Sequence, residues 1–137
     1  MMMMMMSTLL SAALLLLLPG TLTLESKSTP IIVVVENSLV DTPPVTYSTH
    51  VMSGGILLGA MKTLMDSNAN FKFTYTENPN YGPYLESVNG VAGNDEDHTY
   101  WELLVKKPDG KVIRPDVGIG CYIPSENEQI ILRFSKW

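Results

Sequence analysis

The chain has 137 residues, 45% hydrophobic and 17% charged, a balance that supports a packed core and excludes a disordered segment. Nine Lys and Arg against fourteen Asp and Glu leave a formal charge of -5, and the cations are scattered. No basic stripe exists to neutralise phosphates, so nucleic acid is excluded as a partner.

The N-terminus carries Met1 to Met6 and then an apolar run ending in Leu14-Leu15-Leu16-Leu17-Leu18 and Pro19-Gly20. The run falls short of the roughly 20 residues a membrane span needs, and it has the form of a secretory h-region, although no Lys or Arg precedes Lys27. Residues 1–24 are therefore read as a signal peptide, with cleavage between residues 20 and 26. Secretion, no membrane span after cleavage, and one domain over residues 30–137 follow from that reading. The single cysteine, Cys121, cannot close an internal disulfide, so the domain must rely on its core.

The β-branched run Ile31-Ile32-Val33-Val34-Val35 predicts a strand buried on both faces and reaching Val40. Pro43-Pro44 breaks it, and alternation of Val45, Tyr47, Thr49 and Val51 with polar neighbours predicts a second strand as its hairpin partner. Ser53 is placed to cap a helix starting at Gly54 or Gly55, with Leu57, Ala60, Met61, Leu64 and Met65 as its apolar stripe and residues 66–68 as its end. Phe71, Phe73 and Tyr75 then give a strand whose aromatic face is expected to cover that helix. Residues 77–83 read as a turn, 84–88 as a short strand, and Asn89-Gly90 as a two-residue hairpin turn. After an acidic loop at 94–98 come a strand over 99–106, a turn at 108–111, a return at 112–113, a polar turn at 125–128 and a last strand over 129–134. The fold class is α+β: a β-rich domain of short, mostly antiparallel strands and hairpins with one helix.

Candidate chemistry is sparse. Asp95-Glu96-Asp97-His98 has ligand-type side chains but lacks the spacing of a calcium loop, so it reads as a solvated hairpin tip and no metal site is assigned. His50 and His98 are the two histidines, and neither forms part of a nucleophile, base and orienter set with Cys121 or a serine. No catalytic residue is assigned, and the chain is read as no enzyme. Ser53-Gly54-Gly55 could cradle an anion or simply turn the chain sharply, and the turn is the better reading. Tyr81 and Tyr84 beside Gly82, with Tyr100 and Trp101 further on, suit either the flat face of a large ligand or core packing.

Read in order, the chain offers Glu36-Asn37-Ser38-Leu39, then Val51-Met52-Ser53-Gly54-Gly55-Ile56-Leu57-Leu58, Phe71-Lys72-Phe73, Tyr81-Gly82 and Ser87-Val88-Asn89-Gly90-Val91-Ala92. Thr99-Tyr100-Trp101-Glu102-Leu103-Leu104, Asp116-Val117-Gly118-Ile119-Gly120-Cys121-Tyr122-Ile123-Pro124 and a closing Gln129-Ile130-Ile131-Leu132-Arg133-Phe134-Ser135-Lys136-Trp137 complete the series. In that order and spacing, residues 31–137 resemble the C-terminal domain of the vitamin B12 carriers transcobalamin, haptocorrin and intrinsic factor. The resemblance implies a compact mixed domain, with a β-grasp relationship as one option, that closes over the upper corrin face while a separate helical barrel holds the other. It implies cobalamin or another corrinoid as a bound ligand, not a catalytic cofactor. By position it carries over Asn80, Tyr81, Gly82, Pro83, Tyr84 and Leu85 as the loop along the corrin, and Trp101 with the strand that follows it, Glu102, Leu103 and Leu104, as further cobalamin-binding residues, with backbone amides and aromatic faces holding the ligand. Residues 107–114 look inserted relative to the family and Cys121 stands where an acidic residue is common, so the carry-over stops at Leu104. The helical barrel has no counterpart in these residues. One face of a clamp forgoes the effective concentration a second linked face supplies, which puts the expected affinity near micromolar, about 8 kcal/mol, unless a partner or a homodimer completes the site. The competing reading is a secreted interaction module that keeps the fold, has lost high-affinity cobalamin binding, and uses residues 80–85 to meet a receptor or a separate helical subunit.

Overall fold

The computed structural model describes residues 28–80 and 82–137, so the segment read as a signal peptide, 1–24, and Tyr81 lie outside the described residues. Strand β1 (Ser28–Asn37) buries Ile31, Val33 and Val35, while Ile32 and Val34 stay half-buried. Successive strand residues point to opposite faces. The run expected to be buried on both faces is therefore fully buried on one. It also ends before Val40, because the Asn37 carboxamide oxygen accepts the Leu39 N–H at 2.9 Å and turns the chain.

Strand β2 (Val45–Met52) pairs antiparallel with β1, from Ser28 opposite Met52 to Val35 opposite Val45, and buries Tyr47 and Val51. The turn that follows requires glycine: Gly54 has φ +80°, and a Cβ on Gly55 would stand 2.9 Å from the Met52 carbonyl oxygen. Helix α1 (Leu57–Ser67) starts later than expected. Ile56 is its N-cap, with no side-chain cap, so Ser53 does not serve that role. Leu57, Leu58, Ala60, Met61 and Leu64 are buried, at the spacing of an apolar stripe.

Strand β3 (Phe73–Asn78) continues an aromatic ladder in which Tyr47–Phe71, Phe71–Phe73 and Phe73–Tyr75 ring centroids lie 5.1, 5.9 and 6.0 Å apart. Phe71 and Phe73 join the helix residues in one core, and the Lys62 Nζ sits 5.3 Å over the Tyr75 ring. Strand β4 (Gly82–Val88) and the short β5 (Val91–Ala92) complete a three-stranded antiparallel sheet. Between β4 and β5, Asn89 and Gly90 have φ of 51° and 85°, the left-handed pair a type I′ turn demands. The Asn89 side chain also accepts the Lys72 N–H at 2.9 Å and donates to the Tyr47 hydroxyl at 3.1 Å.

Strands β6 (Thr99–Lys106), β7 (Val112–Ile113) and β8 (Gln129–Lys136) join the first hairpin in a five-stranded sheet of order β2-β1-β8-β6-β7. Here β8 runs parallel to β1 and antiparallel to β6. The α+β class is borne out, with one parallel pair at the centre of the larger sheet.

Two buried carboxylates are fixed to that sheet. The Glu128 side chain, 1% exposed, accepts from Lys107 Nζ at 2.6 Å, Tyr122 Oη at 2.7 Å and the Ser125 N–H at 3.0 Å. Burial pushes this carboxyl up, but the bonds from Lys107, Tyr122 and Ser125 and the Lys107 charge outweigh it and hold it below its usual value. Glu102, also buried, accepts from the Ser135 hydroxyl at 3.2 Å and from the Arg114 guanidinium.

A carboxyl held low in the folded state adds stability that is complete above its ordinary value of 4.5 and is lost as pH falls through the lower folded value. Glu128→Gln is expected to lower stability at pH 7 by about 2 kcal/mol, roughly 10 °C in Tm. It should also flatten the acid limb of a Tm against pH curve below pH 4.5, measured by circular dichroism. An acid limb identical to wild type would remove this role.

Candidate ligand-binding site

The β3–β4 hairpin is longer than its sequence suggests. Glu77 pairs with Pro83 and Asn78 with Gly82, so residues expected to form an open turn belong to the ladder, and Pro79 and Asn80 lie in the turn. Gly82 supports this with φ +80°, and the Asn78 carboxamide oxygen accepts the Asn80 N–H at 2.9 Å. Asn80 is exposed, Gly82 and Pro83 are half-exposed, Tyr84 is 53% exposed and Leu85 points into the core.

Facing the hairpin is the segment 116–121. A cavity of about 470 Å³ lies between the two, with Asn78, Gly82, Pro83 and Tyr84 on one wall and Asp116, Val117, Gly118 and Cys121 on the other. Gly120 makes the approach close: a Cβ there would stand 2.6 Å from Pro83 Cδ and 2.7 Å from its Cγ. Ile119 is buried and anchors the segment in the core. Its carbonyl accepts the Leu58 N–H at 2.9 Å, and the Tyr122 carbonyl accepts the Leu57 N–H at 2.8 Å. Those two donors would be orphans at the start of α1 without this segment. The same bonds leave no free helix N-terminus for an anion at Ser53-Gly54-Gly55.

The strand half of the expected site lies elsewhere. Trp101 is buried, donates its indole N–H to the Val91 carbonyl at 2.8 Å and packs against Phe134 with ring centroids 5.1 Å apart. It edges a separate cavity of about 260 Å³. Glu102 is held by Ser135 and Arg114, Leu103 is half-buried against the core and Leu104 is buried. None of these four lines the hairpin groove. A larger cavity, about 580 Å³, is formed by residues of 37–40, 91–99 and 134–136 and is lined by none of the ten residues carried over from the resemblance.

The residues that sequence reasoning stopped short of are Asp116, Val117, Gly118 and Cys121. The signal available was the pair of glycines in Gly118-Ile119-Gly120, the mark of close backbone approach. Chemically, the groove offers a phenol, a carboxylate, a carboxamide, an exposed thiol and accessible backbone. These can hold and orient a ligand. His98 meets the Trp137 ring edge-on at 5.2 Å, His50 lies on β2, and Asp97 bonds to Asn94 within its own turn. Among the described residues, no group of three His, Cys, Asp or Glu side chains is arranged to hold a metal ion. No helix among them is long and apolar enough to cross a membrane.

Residues 54–136 match the family described as Domain of unknown function (DUF4430). The chain belongs to this family. It is 33% identical over 93 residues to mouse cobalamin binding intrinsic factor and 34% identical over 95 residues to human transcobalamin-1. These matches take in 68% and 67% of the chain but 21% of each relative, so the chain spans about a fifth of the curated relatives it matches. The structure of haptocorrin in complex with Cbi superposes with a TM-score of 0.68 at 26% identity, over 82% of this chain and 26% of that one. A protein from Ruminococcus gnavus shares the fold at a TM-score of 0.53 and 13% identity, over 80% of this chain and 98% of its own. The family expected from the ordered motifs, the C-terminal domain of the cobalamin carriers, is the one found.

Gly120→Ala tests the close contact that shapes the groove. Its Cβ must displace the Pro83 ring, at a cost of about 1–3 kcal/mol in chemical denaturation. Pro83→Ala removes the two atoms that collide, so the double variant should cost less than the sum of the singles. Additive losses would show that the two walls do not meet as described.

Proposed function

We propose that this chain is a secreted, non-enzymatic module that binds cobalamin or another corrinoid, in service of vitamin B12 binding and transport. The observation that carries the reading is the open groove of about 470 Å³ beside Tyr84, in a domain that shares its fold with haptocorrin in complex with Cbi. Its walls suit the rim of a broad macrocycle with amide arms. Backbone is accessible at Gly82 and Gly118, an exposed phenol ring supplies a flat face, and Asn78 and Asp116 supply polar groups. In this reading Asn80, Tyr81, Gly82, Pro83, Tyr84 and Leu85 form the contact loop. Trp101, Glu102, Leu103 and Leu104 act from the strand behind it, through the core.

Such a groove engages one side of the ligand. A helical domain or a separate helical subunit would cover the other, and a receptor could read the assembled surface. Secretion is supported by the apolar run before Pro19-Gly20, which has the form of a signal h-region.

The test is titration of the chain with hydroxocobalamin, followed by tryptophan fluorescence and the visible bands. Trp137 is 60% exposed, so Trp137→Phe leaves the buried Trp101 as the reporter. A micromolar Kd is expected, and Tyr84→Ala should weaken it about tenfold, near 1.4 kcal/mol. No change in either signal up to about a millimolar ligand would remove the reading.

A second reading, an interaction module without a corrinoid, draws on the exposed Leu39, Val40, Val45 and Val91 around the other cavities. It requires the titration to be silent and partner capture to fall when Val40 is changed to Asp.

A further inference from the structure

We propose that Glu128, clasped by Lys107, is a positioning residue that holds the 116–121 wall of the groove at its working distance from the β3–β4 hairpin. The inference rests on the corrinoid reading for its ligand and on the geometry alone for its mechanics.

The wall is a short span fixed at both ends. It begins just after Arg114, whose guanidinium meets the buried Glu102 carboxylate. It ends at Tyr122, whose hydroxyl meets Glu128 at 2.7 Å and whose carbonyl accepts the Leu57 N–H. Between these points its support comes from the buried Ile119, whose carbonyl accepts the Leu58 N–H, from local turn bonds to the Gly118 carbonyl, and from the close approach of Gly120 to Pro83. Neither Glu128 nor Lys107 lines the groove, so neither can touch a ligand there.

The segment that looked inserted, residues 107–114, explains how the two carboxylates are tolerated in the interior. It is a tight hairpin, with the Lys107 N–H bonded to the Lys111 carbonyl at 2.8 Å and Val112 and Ile113 paired with Lys106 and Val105. Lys107 and Arg114 stand at its two ends, and each meets one buried carboxylate. An ion pair at an exposed hairpin contributes little. Here one partner of each pair is buried, and a buried carboxylate left without its cation is strongly unfavourable. The hairpin is thus tied to the sheet at Glu102 and, through the second oxygen of Glu128, to Tyr122 beyond the wall. Loosening Lys107 or Glu128 frees the far end of the wall without removing any atom from the groove.

The experiment compares Glu128→Gln, Lys107→Met and Lys107→Arg in the full chain with Val88→Ala, a buried core change at the end of β4 away from the groove. Amide hydrogen exchange is read at Cys121 and Tyr122, and hydroxocobalamin affinity is read on the same samples while all are folded. Glu128→Gln and Lys107→Met should speed exchange at those two amides about tenfold over the Val88→Ala control. They should also weaken hydroxocobalamin about fivefold, because the groove is no longer preorganised. Lys107→Arg should restore most of both. Wall exchange no faster than in the control overturns the clasp, and loosened exchange with unchanged affinity overturns its positioning role. If the wild type binds no hydroxocobalamin, the corrinoid reading fails, and wall exchange alone decides the clasp.

Discussion

Helix α1 begins with two N–H groups, those of Leu57 and Leu58, that have no side-chain cap and find their acceptors in the Tyr122 and Ile119 carbonyls. A helix start is costly to leave unsatisfied in a packed interior, so this pairing couples the helix to a segment far along the chain. The rest of the site follows from it. Residues 119–122 are held against the helix, Gly120 is pressed onto Pro83, and the groove between the hairpin and 116–121 takes its width.

The buried charges belong to the same arrangement. Glu102, on β6, and Glu128, just before β8, are both buried, and each is accommodated because a cation from the 107–114 hairpin reaches it. Tyr122 shares the Glu128 carboxylate, and both burial and that bond push its phenol above its usual range. The bond that steadies the carboxylate therefore also fixes the residue whose carbonyl caps the helix. Sheet, hairpin, wall and helix are joined by a few polar contacts that the apolar core by itself would not specify.

For function, what matters is that the exposed aromatic group and the buried one serve different ends. Tyr84 stands at the groove, whereas Trp101 is spent on Val91 and Phe134. The chain covers about a fifth of the cobalamin binding intrinsic factor and transcobalamin-1 it resembles. The groove presents shape, backbone and a few polar groups.

Local features were legible in the sequence because they are decided within a few residues. The Asn89-Gly90 turn, the alternation of Tyr47 and Val51, and the stripe of Leu57, Ala60, Met61 and Leu64 each follow from backbone sterics or period, and each stands as read. The ordered motifs from residue 31 onward were also enough to point to the family. Three things were decided only by the tertiary structure: the start of α1 at Leu57 instead of Gly54 or Gly55, the parallel pairing of β1 with β8, and the second wall of the groove. Each depends on partners distant in the chain. The capping carbonyls of Ile119 and Tyr122, the edge that β8 offers β1, and the Pro83 ring against Gly120 exist for a residue only once the chain has closed on itself.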